Sequence, residues 1–187
     1  MTTRRDSLIS AAAALLDGGG PAAVTLREVG RAAGVSHNAP YNHFADKDDL
    51  LAAIAGRELR RQLTPTVDGP PPSAQALMIG YVRWAQRYPE RFKLTFGRWK
   101  RDNAELGDAA RQARSLVIEA VARAQAVGDL PKGDPERVAV LVLALAHGAA
   151  DLALSGHLSA TGKGRADPED LVADLFRHLK SSAAAEG

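Results

Sequence analysis

Residues 25–50 constrain this chain more than any other stretch: Thr25-Leu-Arg-Glu-Val-Gly-Arg-Ala-Ala-Gly34-Val-Ser36-His-Asn-Ala-Pro40-Tyr-Asn-His-Phe44-Ala-Asp-Lys47-Asp-Asp-Leu50. Thr25 suits a helix N-cap, and Glu28 three residues later completes a capping box. Val24 and Val29 can close a hydrophobic staple around that cap. The helix runs to Ala33, Gly34 permits the positive φ of a tight turn, and Val35 fills the angle. Ser36 then caps a second short helix, His37 to Phe44. Asp46 caps a third, from Lys47 through Leu50, Leu51, Ile54 and Leu59 to about Leu63. Helix, glycine turn and short polar helix in this order spell a helix-turn-helix, whose second helix enters the DNA major groove.

The remainder reads as helix throughout, which predicts an all-α fold of about nine helices. Leu8, Ile9, Ala12, Leu15 and Leu16 recur at helical spacing over Arg4 to Asp17, and Gly18 to Pro21 end that helix. Thr64 to Pro72 is a linker, because three successive prolines cannot continue a helix. It divides residues 1–63, a helix-turn-helix module with its connecting helix, from residues 64–187, a larger helical module. Further helices are predicted over Ser73–Arg87, Pro89–Phe96, Asn103–Val127, Pro135–Ser155 and Pro168–Lys180. Asp134 and Asp167 act as caps, Pro135 takes the first helical position, and the Ala-rich tail after Ser181 is expected to fray. No window alternates as a strand does, and no apolar run reaches the roughly 18 residues of a membrane span. The N-terminus lacks the apolar core of a signal peptide. The chain has no cysteine, which suits a reducing cytoplasm.

Charge does not announce a nucleic-acid partner. The net charge is +2, and residues 1–63 carry only +1. A DNA interface must therefore rest on placed groups. Asn38 and Asn42 can bond an adenine edge, His37 a guanine acceptor, and Ala39 a thymine methyl. Tyr41, His43 and Lys47 can hold phosphate oxygens, and the helix N-termini capped by Thr25 and Ser36 attract phosphate. The plain alternative is a helical hairpin with solvated polar residues. Pro40 breaks the pattern, because it removes the amide that would bond the Ser36 carbonyl. A loosened or 3₁₀-like first turn follows. Either the proline is simply tolerated there, or the free carbonyl and shifted turn re-aim His37 and Asn38.

The sequence resembles the tetracycline-repressor (TetR) family of bacterial regulators. The resemblance rests on Thr25–Ser36, Tyr41-Asn-His43-Phe44 and Asp46-Lys47-Asp-Asp-Leu50, with a basic first helix at Arg4 and Arg5. It covers residues 4 to 60, and implies a homodimer with one helix-turn-helix per subunit, binding double-stranded operator DNA. By that likeness Thr25, Tyr41, His43 and Lys47 touch phosphate, while His37, Asn38 and Asn42 face bases. Ala146-His147-Gly148 is similar to a subgroup whose C-terminal domain is named for a Trp-His-Gly motif, with Ala146 in place of Trp.

In such regulators the C-terminal helices enclose a small-molecule effector. Tyr81, Trp84, Tyr88, Phe92, Phe96 and Trp99 cluster within nineteen residues and could wall an apolar cavity with Met78. An ordinary aromatic core is the alternative. His147 and Asp151, one turn apart, are either polar anchors of that cavity or a satisfied core pair. No metal or cofactor is implied, since no third ligand lies at a nearby spacing. The last two helices should form the dimer through Ala139, Leu143, Ala146 and Ala150 and through Leu171, Leu175, Phe176 and Leu179, unless one stripe closes the subunit's own core. The resulting reading is a ligand-responsive dimeric repressor. Its rivals are an activator and a helical small-molecule carrier with a non-functional helix-turn-helix. An enzyme is disfavoured, because no catalytic triad, phosphate loop or paired-acid motif stands out.

Overall fold

The computed structural model describes residues 3–62 and 70–185. Residues 63–69, which hold most of the expected linker and the end of the connecting helix at Leu63, lie outside the described residues. Eight α-helices and two 3₁₀ turns make up the regular structure among the described residues, and none of it is strand. In order they are α1 (Arg4–Ala23), α2 (Leu26–Ala32), a 3₁₀ turn (Ala39–Asn42), α3 (Lys47–Gln62), α4 (Ala74–Arg87), α5 (Pro89–Thr95) and α6 (Ala104–Ala126). Helix α7 (Pro135–Leu154), a second 3₁₀ turn (Lys163–Arg165) and α8 (Pro168–Ala185) follow. The all-α expectation holds, with one helix fewer because the helix expected over residues 37–44 is only the 3₁₀ turn Ala39–Asn42. Helix α8 continues through the Ala-rich tail to Ala185.

Packing divides the chain into two compact units, each built from separated stretches. The first comprises Met1–Arg61 and Tyr88–Arg111, and the second Gln62–Arg87 and Gln112–Gly187. The first unit thus recruits α5 and the start of α6 from beyond the linker.

Its core is a set of fully buried aliphatic side chains around one aromatic ring. Leu8, Ile9, Ala12 and Leu16 of α1, Val24, Leu26 and Val29 around α2, Phe44, and Leu50 and Ile54 of α3 form one cluster. Thr3 starts α1 with a reciprocal capping box to Asp6, and its hydroxyl holds the Asp6 carboxyl below the usual carboxylate range. The helix breaks at Gly19 and Gly20, which have non-helical dihedrals just before Pro21.

Ion pairs then fix α5 and the first turn of α6 to this core. Arg91 of α5 grips Asp17 of α1 through two bonds of 2.6 and 2.9 Å. It also donates to Glu58 of α3 at 3.2 Å. Glu58 is only 3 % exposed and Arg91 is 13 % exposed, so this pair sits where water screens little. At the other end, Glu105 of α6 accepts Arg5 of α1 at 2.5 Å and Arg60 of α3 at 2.6 Å.

The second unit is a helical layer in which α4, α7 and α8 pack on one another. Its core holds Met78, Val82 and Ala85 of α4, Ala139, Val142, Ala146 and Ala150 of α7, and Val172 and Phe176 of α8. Caps fall where the sequence places them. Asp134 bonds the Glu136 amide at 3.0 Å and Asp167 bonds the Glu169 amide at 2.8 Å. Ser73 starts α4 and Asn103 starts α6 in the same manner. Helix α7 is long and apolar enough to cross a bilayer by length and composition alone. Its buried alanines account for part of that apolarity as packing against α4 and α8.

The buried pair yields a stability prediction. Removing one partner of a buried ion pair costs on the order of 3–5 kcal/mol. Arg57 remains 3.7 Å from Glu58, so Arg91→Ala should fall near the lower end. Urea unfolding should show a loss of about 3 kcal/mol; a loss below about 1 kcal/mol would mean that Arg91 is only a surface residue.

Candidate nucleic-acid interface

Helix α2 is capped by Thr25, whose hydroxyl accepts the Glu28 amide at 3.1 Å. Only this half of the expected box forms. The Glu28 carboxylate instead takes Arg31 through bonds of 2.8 and 2.9 Å. Beyond α2, Gly34 adopts φ +67°, as the tight turn requires. Val35 turns back so that its amide reaches the Gly30 carbonyl at 3.0 Å.

The element expected as a recognition α-helix is a 3₁₀ turn, Ala39–Asn42. Its bonds run Ala39 N–H to Ser36 O at 3.0 Å and Tyr41 N–H to Asn38 O at 3.1 Å, both three residues apart. The loosened first turn expected from Pro40 is present. The free Ser36 carbonyl is not, because the Ala39 amide takes it. Ser36 does not act as the expected cap either. The capping position is Asn38, whose side chain makes no capping bond.

Pro40 is buried, and its ring explains a glycine that sequence reasoning passed over. A Cβ on Gly30 would meet the Ser36 carbonyl oxygen at 3.2 Å, Pro40 Cγ at 3.3 Å and His37 Cα at 3.5 Å. The proline is thus part of the turn's packing as well as a break in its ladder. The signal available in sequence was the pairing of a mid-helix glycine with a later proline, which either residue alone does not give.

The side chains named from sequence sit on or beside this turn. His37, Asn38, Tyr41, Asn42 and Thr25 are exposed, and Ala39 and His43 are half-buried. Tyr41 is 58 % exposed, which suits a phosphate contact. Lys47 bonds the Pro21 carbonyl at 2.5 Å, so it also fastens α3 to the end of α1. Asp46 caps α3 through the Asp49 amide at 2.9 Å, while Asp49 accepts the Ala45 amide at 3.1 Å. The other Asp46 oxygen accepts Arg101 at 2.5 Å. Arg101 first, and then the Asp49 amide, hold the Asp46 carboxyl below its usual range.

The expected effector residues fall into both units. In the second, the Tyr81 hydroxyl lies 2.7 Å from His147 Nδ1, and Trp84 packs 6.1 Å from the Tyr81 ring, centre to centre. Burial pushes the Tyr81 hydroxyl far above the usual phenol range, so it stays protonated. Met78 is buried on the same helix, and Asp151 is exposed. In the first unit, Phe92 and Phe96 pack at 5.5 Å, Arg91 lies over the Tyr88 ring at 4.2 Å, and Trp99 packs on the helix-turn-helix core.

The chain matches two family models. One, described as bacterial regulatory proteins of the tetR family, covers residues 8–54. The other, described as a tetracyclin repressor-like C-terminal domain, covers residues 74–179. The chain belongs to the TetR family.

Solved structures support this over nearly the whole length. A protein of unknown function from Rhodococcus sp. RHA1 is 29% identical, with a TM-score of 0.77, covering 97% of this chain and 96% of that one. A putative TetR-family transcriptional regulator from Rhodococcus sp. is 22% identical, with a TM-score of 0.66, covering 96% and 100%. SmeT, the repressor of the Stenotrophomonas maltophilia multidrug efflux pump SmeDEF, is 25% identical, with a TM-score of 0.58, covering 94% and 89%. A comparison with curated proteins gave no match.

In this TetR-family regulator the recognition turn is held from behind by Gly30. Gly30→Ala should destabilise the protein by about 1–3 kcal/mol, the usual cost of overpacking, because two of its three neighbours are backbone atoms. Thermal unfolding would read this. An unchanged or raised Tm would show that the turn can shift to accept a methyl group.

Proposed function

We propose that the protein is a dimeric, ligand-responsive repressor that binds a near-palindromic operator. The observation that carries this reading is the recognition turn. His37, Asn38, Tyr41 and Asn42 stand exposed on a short element whose backbone is fixed by Gly30, Pro40 and the caps of α2 and α3. Thr25, His43 and Lys47 flank it and serve the phosphates, and Ala39 lies between them. A surface this polar needs no such rigid support unless side-chain positions matter, as they do for base edges. SmeT, described as a repressor, lends the sign of regulation.

Dimerisation is assigned to α7 and α8, through a different face from the one alanine spacing suggested. Ala139, Ala146 and Ala150 are buried inside the subunit, so that stripe closes its own core. Val140 and Leu141 are 53 % and 61 % exposed, and Leu152 is 46 % exposed. Val140, Ala144, Gly148 and Leu152 mark a four-residue repeat along α7, with Leu141 beside it. Leu171, Leu175 and Leu179 run half-exposed along α8, whereas Phe176 belongs to the core. Two such helix pairs make an isologous bundle. Leu141→Glu should give a monomer in sedimentation and weaken operator binding at least tenfold; a dimer of unchanged stability would place the interface elsewhere.

The effector site is assigned to the second unit beside Tyr81, Trp84 and His147. A protonated phenol bonded to an imidazole next to an indole face offers one polar anchor and an aromatic wall. The functional border is placed at the linker, with residues 64–187 sensing and residues 1–63 reading DNA, and the site of action is the cytoplasm.

The test is selection of bound duplexes from a random pool. Enriched sequences should be near-palindromes with half-site centres about 34–36 Å apart. His37→Ala and Asn42→Ala should each relax preference at one base pair, costing about 1–3 kcal/mol there. A pool that shows no enrichment would favour a helical small-molecule carrier over a regulator.

A further inference from the structure

The segment joining α5 to α6 holds Arg98-Trp99-Lys100-Arg101, three cations in four residues. It belongs to the first unit. Trp99 is half-buried against the helix-turn-helix core. Arg101 bonds Asp46 at 2.5 Å and lies 3.8 Å from Asp48. Asn103 donates to Asp49 at 3.1 Å. Three successive contacts thus lay this strap along the first turn of α3. A groove of about 600 Å³ opens beside these contacts, with Pro21 and Leu51 in its wall. Arg98 and Lys100, on either side of the anchored Trp99, are exposed and have no ion-pair partner among the described residues.

The charges on α3 give the strap a purpose. Its first turn sets three carboxylates, Asp46, Asp48 and Asp49, against the ammonium of Lys47, beside the recognition turn. Phosphates approaching Tyr41, His43 and Lys47 would meet a locally acidic surface. An exposed ion pair adds little to stability, so Arg101 on Asp46 matters more for where it puts charge than for folding.

We propose that Arg98-Trp99-Lys100-Arg101 is a second cationic limb of the DNA interface. In it Arg98 and Lys100 bond phosphate oxygens next to the recognition turn, while Arg101 offsets the carboxylates that would repel them. This rests on the DNA-binding reading above and extends it to residues outside the helix-turn-helix. The limb also answers the weak charge of residues 1–63, since cations recruited from beyond the linker complete the electrostatic footprint. Phosphate contacts of this kind carry no sequence information.

The experiment measures affinity against salt concentration by fluorescence anisotropy, with the full chain and a duplex of mixed sequence. The same titration is repeated with a duplex enriched by selection. Each phosphate contact contributes about 0.9 to the slope of log affinity against log salt. Arg98→Ala combined with Lys100→Ala should lower that slope by about 1.8 on both duplexes and leave the preference between them unchanged. Lys132→Ala combined with Lys163→Ala removes the same charge from exposed positions of the second unit and should leave the slope as it is. Circular dichroism melting should be unaltered in both variants.

If the Arg98/Lys100 variant showed the slope of the Lys132/Lys163 variant, the strap would not touch phosphate and the proposal would fall alone. Loss of preference with an unchanged slope would likewise overturn it. If the unmodified protein bound neither duplex, the DNA-binding reading would fall with it.

Discussion

The guanidinium of Arg91, set between Asp17 and a nearly inaccessible Glu58, is the interaction on which the first unit depends. A charge taken out of water is costly unless paired with good geometry. Here three helices distant in sequence supply the pairing: α1, α3 and α5. The loss of any one of them breaks part of this shared pairing. The same logic repeats at Glu105, which gathers Arg5 of α1 and Arg60 of α3 onto the first turn of α6. These two nodes explain why residues 88–111 pack with the helix-turn-helix although the linker separates them along the chain. They also bring the 98–101 strap to the first turn of α3.

Much of the helix-turn-helix was legible because its signals are local. A cap, a turn glycine and a hydrophobic staple act within a few residues, so Thr25, Gly34, Val24 and Val29 could be read directly. Asp46, Asp134 and Asp167 were legible as caps for the same reason. The proline at position 40 was legible in what it removes. Its role as a packing element was not, since that depends on Gly30 ten residues earlier meeting its ring across the turn. Glu28 illustrates the limit of a local rule: its carboxylate had two partners within reach, and Arg31, with two donors, took it in place of the cap.

Contacts between distant residues were the illegible part. The sequence offers no periodic signature for Asp17–Arg91–Glu58 or for Arg101–Asp46, because each joins segments far apart along the chain. The aromatic run from Tyr81 to Trp99, close in sequence, suggested one cavity wall. The chain passes from one compact unit to the other between Arg87 and Tyr88. Tyr81 bonds His147 and packs on Trp84, while Phe92 is buried and Trp99 packs on the first unit's core. Alanine spacing on α7 left two readings open, a dimer seam and the subunit's own core. Small residues mark close packing wherever it occurs, and here it occurs within the subunit, so the exposed branched residues beside them are the better guide to a partner.

A weakly charged interface has consequences for selectivity. Non-specific affinity comes almost wholly from phosphate neutralisation, so a module of +1 starts with little of it. On the proposed reading, placed side chains on a rigid turn then contribute a larger share of the total, which would raise the ratio of specific to non-specific binding. That ratio, more than affinity alone, decides occupancy among the many competing sites of a genome. Rigidity is what makes the bargain work, because each ordering cost met during folding is not met again on the DNA. The buried proline ring against Gly30, the caps on α2 and α3, and Lys47 bonded to the Pro21 carbonyl all serve that end. A turn held this firmly needs only modest cationic help, and a short strap carried in from the next helix is on the right scale to give it.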